Sequence, residues 1–261
     1  MSKNAIVVVS FGTTFKEARE KDILATEQAI QNYFSEYDIF RAFTSNIVIK
    51  RIKANEGITV PTLHEVLKEL TQQLYQKVII QPLHIIPGHE FQLVLEQADI
   101  FANQFSQISV GRPLLDNFTD YRTVSNYLAQ QKSLALDEAV LFMGHGTDSK
   151  EAFAAYACLD HMLLETQHYV GTVEGYPTIE DEIERLKRDH MEKVTMIPFM
   201  LVAGDHANND MASSNENSWA SKLKKEGFTV ESELKGLGES ETIQKLFVKH
   251  VRQAIREVEN E

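Results

Sequence analysis

The second half of this chain repeats the first, and that repeat restricts the fold more than any other feature. Ala5-Ile-Val-Val-Val-Ser-Phe-Gly-Thr-Thr-Phe-Lys-Glu-Ala18 lies over Ala139-Val-Leu-Phe-Met-Gly-His-Gly-Thr-Asp-Ser-Lys-Glu-Ala152, sharing an apolar run, a Gly-Thr pair and Lys-Glu-Ala. Lys77-Val-Ile-Ile-Gln-Pro-Leu-His-Ile-Ile-Pro-Gly-His-Glu-Phe91 lies over Lys193-Val-Thr-Met-Ile-Pro-Phe-Met-Leu-Val-Ala-Gly-Asp-His-Ala207, with the proline and glycine in register. Between these anchors Phe40-Arg-Ala-Phe-Thr44 falls opposite Val170-Gly-Thr-Val-Glu174. Two blocks matching in the same order imply a duplicated unit. The expectation is therefore two similar domains facing each other across a cleft. The boundary is placed between Asp120 and Ser133, giving domains 1–125 and 126–261, and the helical segment Glu239 to Val258 is free to close either one.

Within each half, short β-rich runs alternate with longer amphipathic stretches. Ala5 to Val9, Asp38 to Thr44, Lys77 to Gln81 and Ile108 to Arg112 read as strands. Helices are expected from Lys16 to Phe34, Ile47 to Ala54, Pro61 to Gln76 and Glu90 to Phe105, with Pro61 in a first turn, where proline is tolerated. This order predicts an α/β fold, each domain a mostly parallel sheet with helices on both faces.

Composition narrows the class. At 261 residues, 43% hydrophobic and 25% charged, the chain is expected to be soluble and globular. No run offers the twenty or so apolar residues of a spanning helix, and the amino terminus enters a strand-like run with no signal-peptide pattern, so a cytoplasmic location is expected. One cysteine, Cys158, excludes an intrachain disulfide framework and a thiolate-rich metal site; it reads as a small core residue. A formal net charge of -12 argues against nucleic acid or an anionic membrane as partner. Aromatic residues on the expected helices leave room for a homo-oligomeric interface.

Chemistry enters where the halves differ. Ala139-Val-Leu-Phe-Met143 reads as a buried parallel strand delivering His145, between Gly144 and Gly146, to its carboxyl end, where open α/β sheets place ligands. A helix-like segment follows from Asp148. Phe11 is the first-half counterpart of His145, Glu90 that of His206, and Thr44 roughly that of Glu174. Two imidazoles and a carboxylate suit a borderline divalent ion with coordination positions left open. Taken singly each has an ordinary reading: His206 as a capping loop residue, Glu174 as a turn residue beside glycine, Glu90 as a carboxylate favouring a helix start. His84 and His89 read as packing and surface residues. The convergence of three strand ends is what favours the ligand set.

Several longer stretches carry a resemblance. Ser10-Phe-Gly-Thr13, Arg41-Ala-Phe-Thr-Ser45, Pro82-Leu-His-Ile-Ile86, Phe142-Met-Gly-His-Gly-Thr147, Ala152-Phe-Ala-Ala-Tyr-Ala-Cys-Leu-Asp-His-Met162, Val173-Glu174 and Met200-Leu-Val-Ala-Gly-Asp-His206 resemble the anaerobic, class II cobaltochelatases of the CbiK type, nearly end to end. The resemblance implies a chelatase fold and insertion of a divalent ion, foremost Co2+, into sirohydrochlorin in cobalamin biosynthesis, with loss of two pyrrolic protons. It also implies that His145, Glu174 and His206 bind the metal and that His145 doubles as proton acceptor. Gly175 departs from the family, where serine is expected.

With the substrate class supplied by resemblance, roles follow from chemistry. Few ligands leave the ion free to exchange onto the macrocycle, and an imidazole is a suitable base at neutral pH. A ligand bound to metal cannot take a proton at the same moment, so His145 would act in sequence, with Glu90 helping with the second proton. Phe11 offers an apolar wall to the ring. Backbone N–H groups after Gly12-Thr13 and Gly146-Thr147, with Arg41 and Lys16 or Lys150, would meet the substrate carboxylates. The metal, with Fe2+ and Ni2+ as alternatives, is expected as substrate, with no permanently bound cofactor. Rival readings are a metal-assisted hydrolase, for which no nucleotide or nucleophile motif occurs, and a non-catalytic metal or haem carrier.

Overall fold

The computed structural model describes residues 3–150 and 152–259. One unit holds β1 (Lys3–Ser10), α1 (Lys16–Ala18), α2 (Ala25–Tyr33), β2 (Asp38–Phe43), α3 (Asn46–Glu56), α4 (Leu63–Gln72), β3 (Tyr75–Pro82), α5 (His89–Phe101) and β4 (Gln107–Val110). The other holds α6 (Phe118–Leu128), β5 (Glu138–Gly146), α7 (Ala155–His161), β6 (His168–Glu174), α8 (Ile179–Arg188), β7 (Lys193–Phe199), α9 (Trp219–Lys225) and β8 (Thr229–Ser232). The last helix, α10 (Glu241–Glu259), belongs to the first unit. A π-helical stretch, Arg19–Leu24, joins α1 to α2, and a second, Ala207–Met211, follows β7.

Each unit contains one four-stranded parallel sheet, in the orders β2-β1-β3-β4 and β6-β5-β7-β8. The two orders are the same permutation, so the duplication read from the sequence is a duplication of topology. Val9 pairs with Pro82 and Met143 with Pro198, which puts the two aligned prolines on the same rung. The register corrects one equivalence. Ser10 pairs with Phe43 and Gly144 with Thr172, whereas β5 and β6 run on until Gly146 meets Glu174. The counterpart of Glu174 is therefore Ser45, which leaves the sheet to cap α3, and not Thr44.

The cores follow from the period of two in strands buried on both faces. Ala5, Val7 and Val9 pack with Leu63, Val66, Leu67 and Leu70 of α4 and Val94, Ala98 and Phe101 of α5. Ile6 and Val8, equally buried, face the other side, where α10 packs on β3, β4 and α2. In the second unit Ala139, Leu141 and Met143 pack with Ile179, Ile183 and Leu186 of α8 and Trp219 and Leu223 of α9.

Caps explain where the expected boundaries moved. α4 and α8 both start at a capping box, Thr62 with Glu65 and Thr178 with Asp181. Pro61 thus lies outside the helix, its carbonyl accepting the Phe43 N–H at 3.0 Å. No helix begins at Asp148; α7 starts at Ala155. The chain passes from one unit to the other at Asp116/Asn117 rather than near 125, and Asn117 caps α6 by accepting the Thr119 and Asp120 N–H groups. Cys158, expected in the core, is exposed on α7, whose inward face carries Tyr156 and Leu159. Among the described residues no helix is long and apolar enough to cross a membrane.

Candidate functional site

β5 stays buried through Gly144 and then places His145 in solvent. Two glycines make that possible. Gly146 has φ +84 and a Cβ on it would sit 1.6 Å from the Glu174 carbonyl; Gly175 has φ +90 and its Cβ would sit 2.5 Å from the Thr147 carbonyl. The ends of β5 and β6 therefore close up backbone against backbone. A serine at 175 would strain this turn, so glycine there fits the conformation the chain adopts. Beyond the turn, Thr147 Oγ1 accepts the Ser149 N–H at 3.0 Å. Beneath it lies Tyr156, 2% exposed, bonded to the Gly146 backbone and with its phenol pushed upward in pKa by burial.

After β7 the chain reaches Asp205 and His206 at the entrance to the second π-helical stretch. The His145 and His206 rings stand 4.8 Å apart between centroids and nearly perpendicular, at 88°. With metal–nitrogen bonds of about 2.1 Å, two imidazoles sharing one ion at an open angle have centroids roughly 5 Å apart. His206 Nδ1 lies 2.6 Å from Asp210 Oδ2, and His145 Nδ1 lies 3.2 Å from the Gly146 carbonyl.

Glu174 is exposed, held beside the His145 turn by its strand. Its carboxylate is not gathered with the imidazoles: among the described residues no group of three or more His, Cys, Asp or Glu side chains is assembled for an ion. The structure brings together two of the three expected ligands and tethers the third one strand away.

The matching end of the first sheet is built alike and equipped differently. Phe11 is 50% exposed, and Gly12 behind it has φ +90. Thr13 is buried, its Oγ1 accepting the Phe15 N–H at 3.2 Å and its carbonyl accepting Arg19 Nη1 at 3.1 Å. Glu90 lies in the first turn of α5, with Oε2 shut off from solvent and without a hydrogen-bond partner among the described residues. Both ring nitrogens of His84 are in the same condition, and burial lowers its pKa to about 4. Arg41, expected to meet substrate carboxylates, is already held by Glu27 through bonds of 2.7 and 2.5 Å, which also raise its pKa. Lys16 and Lys150, each four residues past a Gly-Thr turn glycine, are exposed and have no ion-pair partner among the described residues.

Two residues around the site escaped the sequence reading. Asp210 stands four positions after His206, a helical spacing that could have drawn notice. Tyr156 carried no comparable signal, since only the fold places it beneath Gly146.

The cobalt chelatase (CbiK) family model matches residues 4–256. The chain belongs to the cobalt chelatase (CbiK) family. A sirohydrochlorin cobaltochelatase of Salmonella typhimurium is 41% identical over 97% of this chain and 97% of its own length. Sirohydrochlorin cobaltochelatase CbiKC of Nitratidesulfovibrio vulgaris is 29% identical, covering 98% of this chain and 92% of its own length. Among solved structures, SirB from Bacillus subtilis with Fe3+ aligns at a TM-score of 0.67 and 16% identity, covering 99% of this chain and 98% of that one. CbiX, described as the terminal enzyme of siroheme biosynthesis in denitrifying bacteria, aligns at 0.57 and 14%, covering 96% and 99%. At those identities the two structures bear on the fold, which is that of the chelatases.

Proposed function

We propose that this CbiK-family chain inserts Co2+ into sirohydrochlorin, a step of cobalamin biosynthesis, exchanging two pyrrolic protons of the macrocycle for the ion. The names of its relatives support the substrates. The observation that carries the reading is the His145–His206 pair, two imidazoles at the spacing one ion requires, at the carboxyl end of a parallel sheet. His145 and His206 receive the ion, and Glu174 swings its exposed carboxylate in from the neighbouring strand to complete the set. Three ligands leave coordination positions for the pyrrole nitrogens. As the ion passes to the ring, His145 is released and accepts one pyrrolic proton. The second proton is assigned to Glu90, which the duplication sets at the place His206 holds in the other half.

Phe11 offers its exposed face to the apolar ring. Lys150, exposed and four residues past Gly146 on the unit that carries the histidine pair, takes a substrate carboxylate, a role for which Arg41 is less available because Glu27 holds it. Gly12 and Thr13 shape the turn that presents Phe11 and, with their hydrogen-bonding capacity partly used internally, contribute backbone more than side chain. We place the reaction in the cytoplasm, where an exposed thiol such as Cys158 stays reduced.

The test is an absorbance assay of metal insertion with sirohydrochlorin and Co2+, Fe2+ or Ni2+ supplied separately. The expected result is a Co2+ rate far above the spontaneous one, reduced about a thousand-fold in His145→Ala with the far-ultraviolet circular dichroism unchanged. Stoichiometric cobalt binding with no acceleration would instead make the chain a carrier, and a faster rate with Fe2+ or Ni2+ would reassign the metal.

A further inference from the structure

Both histidines of the pair are met on Nδ1 by groups that only accept hydrogen bonds. The Asp210 carboxylate lies 2.6 Å from Nδ1 of His206, and the Gly146 carbonyl lies 3.2 Å from Nδ1 of His145. A neutral imidazole carries one proton, and an acceptor facing Nδ1 keeps it there, leaving the lone pair on Nε2. For His206 the acceptor is a carboxylate, which also makes the ring a stronger donor to a cation. Asp210 reaches it from four residues on, across the π-helical winding of Ala207–Met211. π-helical turns of this kind concentrate at functional sites. The neighbouring amides are engaged elsewhere: Asn209 Nδ2 donates to Asp205 at 2.9 Å and Asn208 Nδ2 to the Gly204 carbonyl at 2.7 Å. Neither competes for Asp210.

We infer that Asp210 is a positioning residue for metal capture: it fixes His206 as the Nδ1–H tautomer and turns an electron-rich Nε2 toward the incoming divalent cation. The inference rests on the reading of His206 as a ligand. It assigns Asp210 no contact with the ion or the macrocycle.

The experiment is calorimetric titration of the metal-free, full-length protein with CoCl2, for wild type, Asp210→Asn, Asp210→Glu and His206→Ala. Asp210→Asn keeps the shape and removes the charge. It should weaken Co2+ binding ten- to a hundred-fold while thermal midpoint and circular dichroism stay at wild-type values, and Asp210→Glu should recover part of the loss. A second readout is the two-bond 1H–15N spectrum of the metal-free wild type, recorded on the alkaline plateau where it no longer changes with pH. It should show the Nδ1–H form of His206, and Asp210→Asn should shift the population toward Nε2–H. Wild-type cobalt affinity in Asp210→Asn, with affinity lost in His206→Ala, would overturn the role of Asp210 and leave the ligand reading intact. Unchanged affinity in His206→Ala would overturn both. Should Asp210→Asn fail to fold, the wild-type spectrum decides alone, an Nε2–H tautomer at His206 refuting the inference.

Discussion

At the end of β1 the chain turns through Gly12 with φ +90, and Thr13 Oγ1 takes the Phe15 N–H; at the end of β5 it turns through Gly146 with φ +84, and Thr147 Oγ1 takes the Ser149 N–H. The two turns are the same piece of backbone. The residue each holds out to solvent is not: a phenyl ring in one unit, an imidazole in the other. The same split recurs eight residues past the aligned prolines, where Glu90 stands opposite His206, and two residues past them, where His84 stands opposite Met200. Because the positive φ of the glycine and the hydroxyl of the threonine fix the turn, the side chain before the glycine is free to differ without cost to the fold. A pair of histidines could therefore be confined to one copy while the other carries a phenyl ring and a carboxylate at the same places.

The sharpest way to break this comparison is to treat both copies alike. Against the roughly thousand-fold loss expected for His145→Ala, Phe11→Ala should cost less than about tenfold in kcat/KM, mostly through KM, since it removes ring contact and no proton transfer. Equal losses in the cobalt insertion assay would mean that the two positions share one task. A smaller effect concerns the turns themselves. Gly146→Ala presses a Cβ into the Glu174 carbonyl at 1.6 Å, whereas Gly12→Ala meets the Phe43 ring at 2.5 Å. Backbone yields less than a ring, so thermal or urea melts should show roughly 3 kcal/mol or more lost at Gly146 and a smaller loss at Gly12; the reverse order would show that the β5–β6 closure is not rigid.

The smallest effect separates the copies by pH. His84, with its pKa lowered to about 4 by burial, stays neutral in the folded protein at pH values where the unfolded chain is protonated. The unfolded state then binds more protons, so the folded state loses stability as pH falls from the ordinary histidine value near 6.5 toward 4. Replacing it by the residue of the other copy, His84→Met, should flatten that limb by roughly 2 kcal/mol or less. Urea melts at several pH values in this window measure it, and an unchanged slope would show that His84 is not what weakens the protein in acid.

Much of this was legible because the signals were local. The apolar run ending in Gly144-His145-Gly146 declares a strand end, and repetition at Ser10-Phe11-Gly12 doubles the evidence. What escaped depends on contacts that sequence spacing does not carry. Arg41 looked free until the fold brought Glu27 against it from α2, fourteen residues away. Thr44 was matched to Glu174 because strand length is invisible in an ungapped comparison; β6 runs on where β2 breaks to cap α3. His145 and His206 do stand side by side, Glu174 does not join them, and Tyr156 beneath and Asp210 beside the pair appeared only with the geometry.

The unit begun by the amino terminus is finished by α10, whose Ile243, Leu246, Phe247 and Val251 are buried, while the other unit is one uninterrupted stretch, Asn117–Leu237. During synthesis the half that emerges first must wait for the last helix before its sheet is covered on both sides, so the inserted half is the first with all its parts to hand. Cutting the chain after residue 237 would strip an apolar face from the older half and leave the younger one its full sequence.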